Sequence, residues 1–161
     1  MTRRRRLHVV FCSCAALAAS EESSALLQSC NVSATAVNFG TYNPLSGSAA
    51  QSAGTVTVNC QVLLIGLFVS WTLTLSTGSS GSYAARQLKS GVNSLSYNLY
   101  TNAARTSVWG NGTNGTSVVS ANPFLIVGSN TVNYTAYGSI PAAQDRPAGN
   151  YTDTLIVTMT Y

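Results

Sequence analysis

The stretch that decides the fold is YTDTLIVTMTY, residues 151–161. Its odd positions, Tyr151, Leu155, Val157, Met159 and Tyr161, are apolar or aromatic, apart from Asp153, and its even positions are Thr152, Thr154, Ile156, Thr158 and Thr160. An alternation of period two is the signature of a β-strand with one buried face. In extended form the segment would run roughly 36 Å at about 3.3 Å per residue. No turn and no further strand is encoded after it, so a neighbour missing on its far side would have to come from elsewhere.

Working back from that strand, similar segments recur with turn signals between them. They are CNVSATAVNFG (30–40), GTVTVNC (54–60), VSWTLTLSTG (69–78), SLSYNLYT (94–101), TSVVS (116–120), FLIV (124–127) and TVNYTAYGSI (131–140). NPLSGSAAQSAG, STGSSGS and GNGTNGT separate them as loops. No window carries a helical stripe of apolar residues, so the expected class is all-β, a sandwich of short strands in one domain over residues 26–161.

Residues 1–25 read differently. Arg3 to Arg6 precede the apolar run LHVVFCSCAALAA, the pattern of a secretory signal peptide, too short for a membrane span. Small-x-small cleavage points lie at Ala16-Leu17-Ala18 and Ser23-Ser24-Ala25, and the second is preferred. Removing the leader takes four of the eight basic and two of the four acidic residues with it, and the formal charge falls from +4 to +2. What remains has no basic patch for nucleic acid. Cys12 and Cys14 leave as well. Cys30 and Cys60 then stand alone in an oxidising compartment, where a disulfide is expected; two cysteines without a nearby histidine do not make a zinc site.

One stretch interrupts the alternation. VLLIGLFVSW (62–71) follows Cys60 with no polar turn, and its ten residues are too few to cross a bilayer. A strand buried on both faces is the preferred reading, and an apolar loop that meets a partner or a surface is the alternative. Asn31, Asn111, Asn114, Asn133 and Asn150 begin glycosylation sequons of the kind that arise by chance in a chain rich in Thr and Asn.

The chemistry of catalysis is missing from residues 26–161. The single histidine, His8, lies in the leader, no glutamate remains, and the carboxylate side chains are Asp145 and Asp153. Asp145 sits in AAQDRPAGN as a turn residue and Asp153 opens the last strand. A serine nucleophile would have no histidine base, and no glycine loop resembles a phosphate cradle. No catalytic, metal-binding or cofactor-binding residue and no small-molecule substrate is expected.

The motifs then come in a recognisable order. They are Cys30-x-Val32, FGTYNP (39–44), TVTVNC (55–60), LSTG (75–78), YNLYT (97–101), VWG (108–110), GSIPAAQ (138–144) and GNYTDTLIVTMTY (149–161). In this they resemble the spore coat protein U domain, shared by subunits of archaic chaperone-usher pili. The resemblance implies an immunoglobulin-like β-sandwich that lacks its last strand. It implies export through the periplasm to the cell surface by a periplasmic chaperone and an outer-membrane usher, and assembly with other pilus subunits for attachment and biofilm. It also implies a groove, lined by Leu155, Val157, Met159 and Tyr161, that takes a strand from the chaperone and then from a neighbouring subunit. A free-standing secreted coat protein with a complete fold is the alternative. One departure matters. After the preferred cleavage only Leu26 to Ser29 precede Cys30, too short for a donor of alternating apolar residues, so the chain is expected to accept a strand but not to give one.

Overall fold

The computed structural model describes residues 4–11 and 28–161, with the backbone alone for residues 4–11, 64 and 65. The two cleavage points expected for the leader lie outside the described residues. Seven strands account for most of the rest: β1 (Arg4–Phe11), β2 (Gln28–Ala34), β3 (Ala50–Leu75), β4 (Arg86–Ser90), β5 (Asn93–Tyr100), β6 (Val119–Ile140) and β7 (Asp153–Thr160). Two short 3-10 turns, Pro44–Ser46 and Gly78–Ser80, complete the regular structure. The fold is all-β.

The strands hydrogen-bond in the order β1-β7-β3-β6-β5-β4, and β2 adds to β3 outside this path. All ladders are antiparallel. β3 and β6 are long because each serves both layers of the sandwich. The first part of β3 pairs with β2 and with residues 128–140 of β6, while its last part pairs with β7 and with residues 119–126 of β6. Between Val62 and Leu67 the register shifts, so that four residues of β3 face one of β6. Such a bulge bends a sheet without a turn, and it folds the two layers over one core.

That bend is where VLLIGLFVSW lies, and the expectation of a strand buried on both faces is corrected there. Val62, Val69 and Trp71 are buried, whereas Leu63 and Phe68 are 72% and 74% exposed. The segment is neither a covered strand nor a free loop. It is a bulged strand with one apolar face outward.

The core draws on every layer. Val56, Val58, Leu73, Leu75, Leu99, Trp109, Ile126, Ile140, Leu155 and Val157 form one buried cluster, and each such side chain contributes roughly 1.5–3 kcal/mol through its removal from water. Buried indoles keep their polar atoms paired. Trp71 donates Nε1–H to the Tyr134 hydroxyl at 3.0 Å and packs edge-on against Phe124; Trp109 donates to the Leu73 carbonyl at 3.2 Å.

Cys30 and Cys60 are directly opposite in the β2–β3 ladder and form a disulfide with S–S 2.06 Å. Closing a loop of 30 residues stabilises the fold by about 3–4 kcal/mol in the chain-entropy account. It ties β2 to the body of the sandwich, which matters because β2 forms one lip of the site below.

Candidate functional site: the open flank of the last strand

β7 buries its odd positions, as its alternation requires. Leu155, Val157 and Met159 are buried, Tyr161 beyond its end is half-buried against the core, and Ile156, Thr158 and Thr160 between them are half-buried. The structure therefore brings together three of the four residues expected to line a groove as one inward row, with Tyr161 at its rim.

Asp153 belongs to the same row, and its burial has a specific support. Its carboxylate accepts from the Tyr97 hydroxyl at 2.7 Å, from the Ser79 amide at 2.9 Å and from the Thr154 amide at 2.9 Å. Burial, with the neighbouring carboxylate second, pushes the Tyr97 phenol far above its ordinary range, so it stays protonated and keeps donating. Gly78, at φ +67°, packs so closely that any Cβ would collide with the Asp153 carboxylate. Glycine is required there by space and by backbone conformation alike.

The two flanks of β7 are unequal. On one side β3 pairs with residues 157–160, the Ser76 amide donates to the Ile156 carbonyl at 3.0 Å, and Lys89 of β4 exchanges two backbone hydrogen bonds with Thr152. The domain body thus meets this flank at both ends of the strand. On the other side stands β1 alone among the described residues, pairing Arg4 with Thr160 through to Phe11 with Asp153 without a register shift. β1 also approaches β2, and so occupies a slot between β7 and β2. With residues 1–25 removed, nothing among the described residues would cover that flank, and a row of unpaired backbone amides and carbonyls would remain.

Past the Asp153 end the slot opens into a cleft of ≈ 780 Å³ between residues 36–42, which continue β2, and residues 146–153, which lead into β7. Val37, Phe39, Tyr42, Tyr97, Tyr151 and Leu155 are among its walls. The hydroxyls of its tyrosines are committed to the frame. Tyr42 donates to the Pro141 carbonyl and accepts from the Gln144 amide, Tyr97 donates to Asp153, and Tyr151 donates to the Pro147 carbonyl. The rings are left to face the cleft, a lining suited to apolar side chains.

A second buried centre holds the walls apart. Arg86 has no exposed surface; its guanidinium donates to the Ser76 carbonyl (3.0 and 2.8 Å), the Asn98 side chain (2.6 Å) and the Trp109 carbonyl (2.7 Å), and lies over the Tyr83 ring. Burial lowers the pKa of its guanidinium from the ordinary value, while Tyr97, Tyr83, Asp153 and Tyr100 oppose the shift. In the sequence Arg86 is simply one of the four basic residues that follow the leader. Its partners lie 10 to 23 residues away, and no spacing rule points to them.

Among the described residues there is no group of three histidine, cysteine or acidic side chains placed to hold a metal ion, and no helix is long and apolar enough to cross a membrane. Asp145 is exposed, and all five sequon asparagines are exposed.

A second surface feature lies at the far bend. Leu63 and Phe68 of β3 stand with Leu125 and Val127 of β6, which are 55% and 74% exposed. Phe68 is opposite Leu125 in register, and Leu125 and Val127 lie directly over Gly66, where a Cβ would meet both side chains within 3 Å. Four large apolar side chains thus cluster in water at one end of the sandwich.

Comparison with known proteins agrees with this architecture. The Spore Coat Protein U domain matches residues 15–158. The chain belongs to that family. Protein U of Myxococcus xanthus is 32% identical over 133 residues, spanning 78% of this chain and 71% of the relative. Among solved structures, a chain of the CsuC–CsuE chaperone-tip adhesion subunit pre-assembly complex, from archaic chaperone-usher Csu pili of Acinetobacter baumannii, superposes with a TM-score of 0.56 at 24% identity. The match covers 84% of this chain and 40% of that one. The sandwich is of the immunoglobulin-like kind.

Proposed function

We propose that this protein is an exported structural and adhesive subunit of an archaic chaperone-usher pilus. It accepts a strand along the open flank of β7, first from a periplasmic chaperone and then from a neighbouring subunit. One observation carries the reading. Among the described residues, the flank of β7 away from β3 is met only by residues that read as a cleavable leader, so the exported sandwich would present Leu155, Val157 and Met159 beside an unpaired edge. Main-chain hydrogen bonds would supply affinity, and the inward row with the adjoining aromatic cleft would supply selectivity for alternating apolar residues. Family membership and the fold likeness support the same class of partner. The usher, the periplasmic route and the final place on the cell surface follow from that class.

Co-expression with the periplasmic chaperone of the same system tests this. A one-to-one complex that survives purification is expected, whereas a lone, stable monomer in the presence of the chaperone would favour a free-standing coat protein.

The adhesive part of the proposal falls on the bend at the opposite end, where Leu63, Phe68, Leu125 and Val127 form an apolar surface directed into water. Replacing Phe68 and Leu125 together by serine should lower retention on a hydrophobic surface by at least about tenfold. Stability should change by no more than about 0.5 kcal/mol per site, as for other exposed positions. Adsorption to alkyl-coated beads beside a thermal melt measures both, and unchanged retention would remove the bend from the account.

A further inference from the structure

We infer that a second cleft, formed by the loop between β3 and β4 and the loop between β5 and β6, binds a neutral sugar ring. The inference does not depend on strand acceptance, because this cleft and the aromatic one beside β7 have no lining residue in common.

The two loops contain STGSSGS and GNGTNGT, which read in the sequence only as separators. They lie at the end of their layer away from the apolar bend: β3 runs from that bend to Leu75 before the first loop begins, and the second loop precedes Val119 of β6. Buried Arg86 ties their roots together, since its guanidinium donates to the Ser76 carbonyl of one and the Trp109 carbonyl of the other. The Leu75 amide donates to the Gly110 carbonyl at 3.0 Å. Asn98, itself held by Arg86, donates to the Tyr83 carbonyl at 2.8 Å. Loops that composition alone would leave free are thus fixed relative to each other, which spares a ligand the entropy of ordering them.

The space between them is ≈ 450 Å³, within the range of about 300–1,000 Å³ usual for small-ligand sites. Its chemistry is that of a polar, uncharged site. Tyr83 supplies a ring, held in place by the Arg86 guanidinium 5.2 Å from its centre. Asn111, Asn114, Thr113 and Ser82 supply amides and hydroxyls, and none of the lining side chains is charged. Several of these groups are oriented by the loop and still have capacity to spare. The Asn111 side-chain oxygen accepts from the Thr113 amide at 3.1 Å and from its hydroxyl at 2.7 Å, which leaves the Asn111 Nδ2 donors for a ligand. The Ser82 hydroxyl oxygen accepts from the Ala84 amide at 3.3 Å and keeps its proton to donate. Asn114 is exposed, so both atoms of its amide are open to a ligand.

A sugar ring carries the complementary set. One face of C–H groups suits an aromatic ring, and a girdle of hydroxyls donates to and accepts from amides and hydroxyls. No ion has to be desolvated on either side. An anionic ligand would find no available cation, because Arg86 is fully buried and committed to carbonyls. An apolar ligand would leave the amides unpaired.

The test uses the full chain expressed for export, taken as a monomer or as a chaperone complex, whichever is obtained. The probes are polymer-linked glucose, galactose, mannose and N-acetylglucosamine, with polymer-linked glucuronic acid as the charged control. At least one neutral probe should bind, its free methyl glycoside competing with a dissociation constant of about millimolar order, and glucuronic acid should bind more weakly. Tyr83→Ala should lower affinity by about tenfold. Asn114→Gly keeps the left-handed backbone that Asn114 adopts at φ +51° and removes only its amide; it should lower affinity by about three- to tenfold. A thermal melt of each variant reports whether it is folded. Replacing Phe68 and Leu125 by serine should leave sugar binding unchanged, which separates this cleft from the apolar bend. Failure of all four neutral probes to bind folded protein would overturn the inference. So would binding that survives Asn114→Gly undiminished, or a preference for glucuronic acid, and each of these results would leave the strand-acceptor reading intact.

Discussion

Replacing Arg86 by alanine should cost the folded domain about 3–5 kcal/mol. The guanidinium is fully buried and supplies the donors for the Ser76 carbonyl, the Trp109 carbonyl and the Asn98 side chain. Truncation leaves these acceptors without partners in a space that water cannot readily fill, and breaking one partner of a buried charged network is costed on that scale. Arg86→Lys should recover only part of the loss, because an ammonium cannot span three acceptors in the planar fork that the site uses. A fall in melting temperature of about 10 °C or more for Arg86→Ala is expected, measured on protein with the Cys30–Cys60 bond intact. A change of under about 1 kcal/mol would mean that the network does not hold the walls of the sandwich.

The second large effect concerns strand capture. Val157 is fully buried in the inward row of β7, so Val157→Asp would set an unpaired carboxylate against the incoming strand at a cost of several kcal/mol. Chaperone capture should be lost. Thr158→Asp, at the neighbouring half-covered position, points to the other face and should reduce capture far less. Pull-down with tagged chaperone distinguishes the two, and circular dichroism of the variants shows whether the fold survives. Equal loss from both changes in folded protein would contradict the assignment of faces.

What was legible in the sequence is what local periodicity and residue chemistry encode. The alternation of residues 151–161 gives the buried parity of Leu155, Val157 and Met159. The isolated pair Cys30 and Cys60 gives the disulfide. The motif order gives the family. Other features rest on distant partners. Asp153 breaks the apolar alternation, and its burial becomes intelligible only when Tyr97, 56 residues away, is seen to donate to it. β3 and β6 each read as separate segments, because the bend that joins their halves is a bulge and leaves no turn signature apart from Gly66 and Gly128. The mixed exposure of Val62–Trp71 follows from that bend and not from its hydropathy. Arg3 to Arg6 read as the start of a leader, and nothing in their composition marks the following residues as a match for β7.

The most direct measurement of the central claim, that the exported sandwich accepts a strand, is a thermal melt. It is made on the subunit freed from its chaperone, with and without a peptide from the N-terminal extension of a polymerising pilin of the same system. At a free peptide concentration 100 times its dissociation constant, linkage raises stability by about 2.7 kcal/mol. The acceptor reading predicts that rise together with a one-to-one complex. A melting temperature already high and unmoved by peptide would contradict it, and would mark the sandwich as complete without a partner.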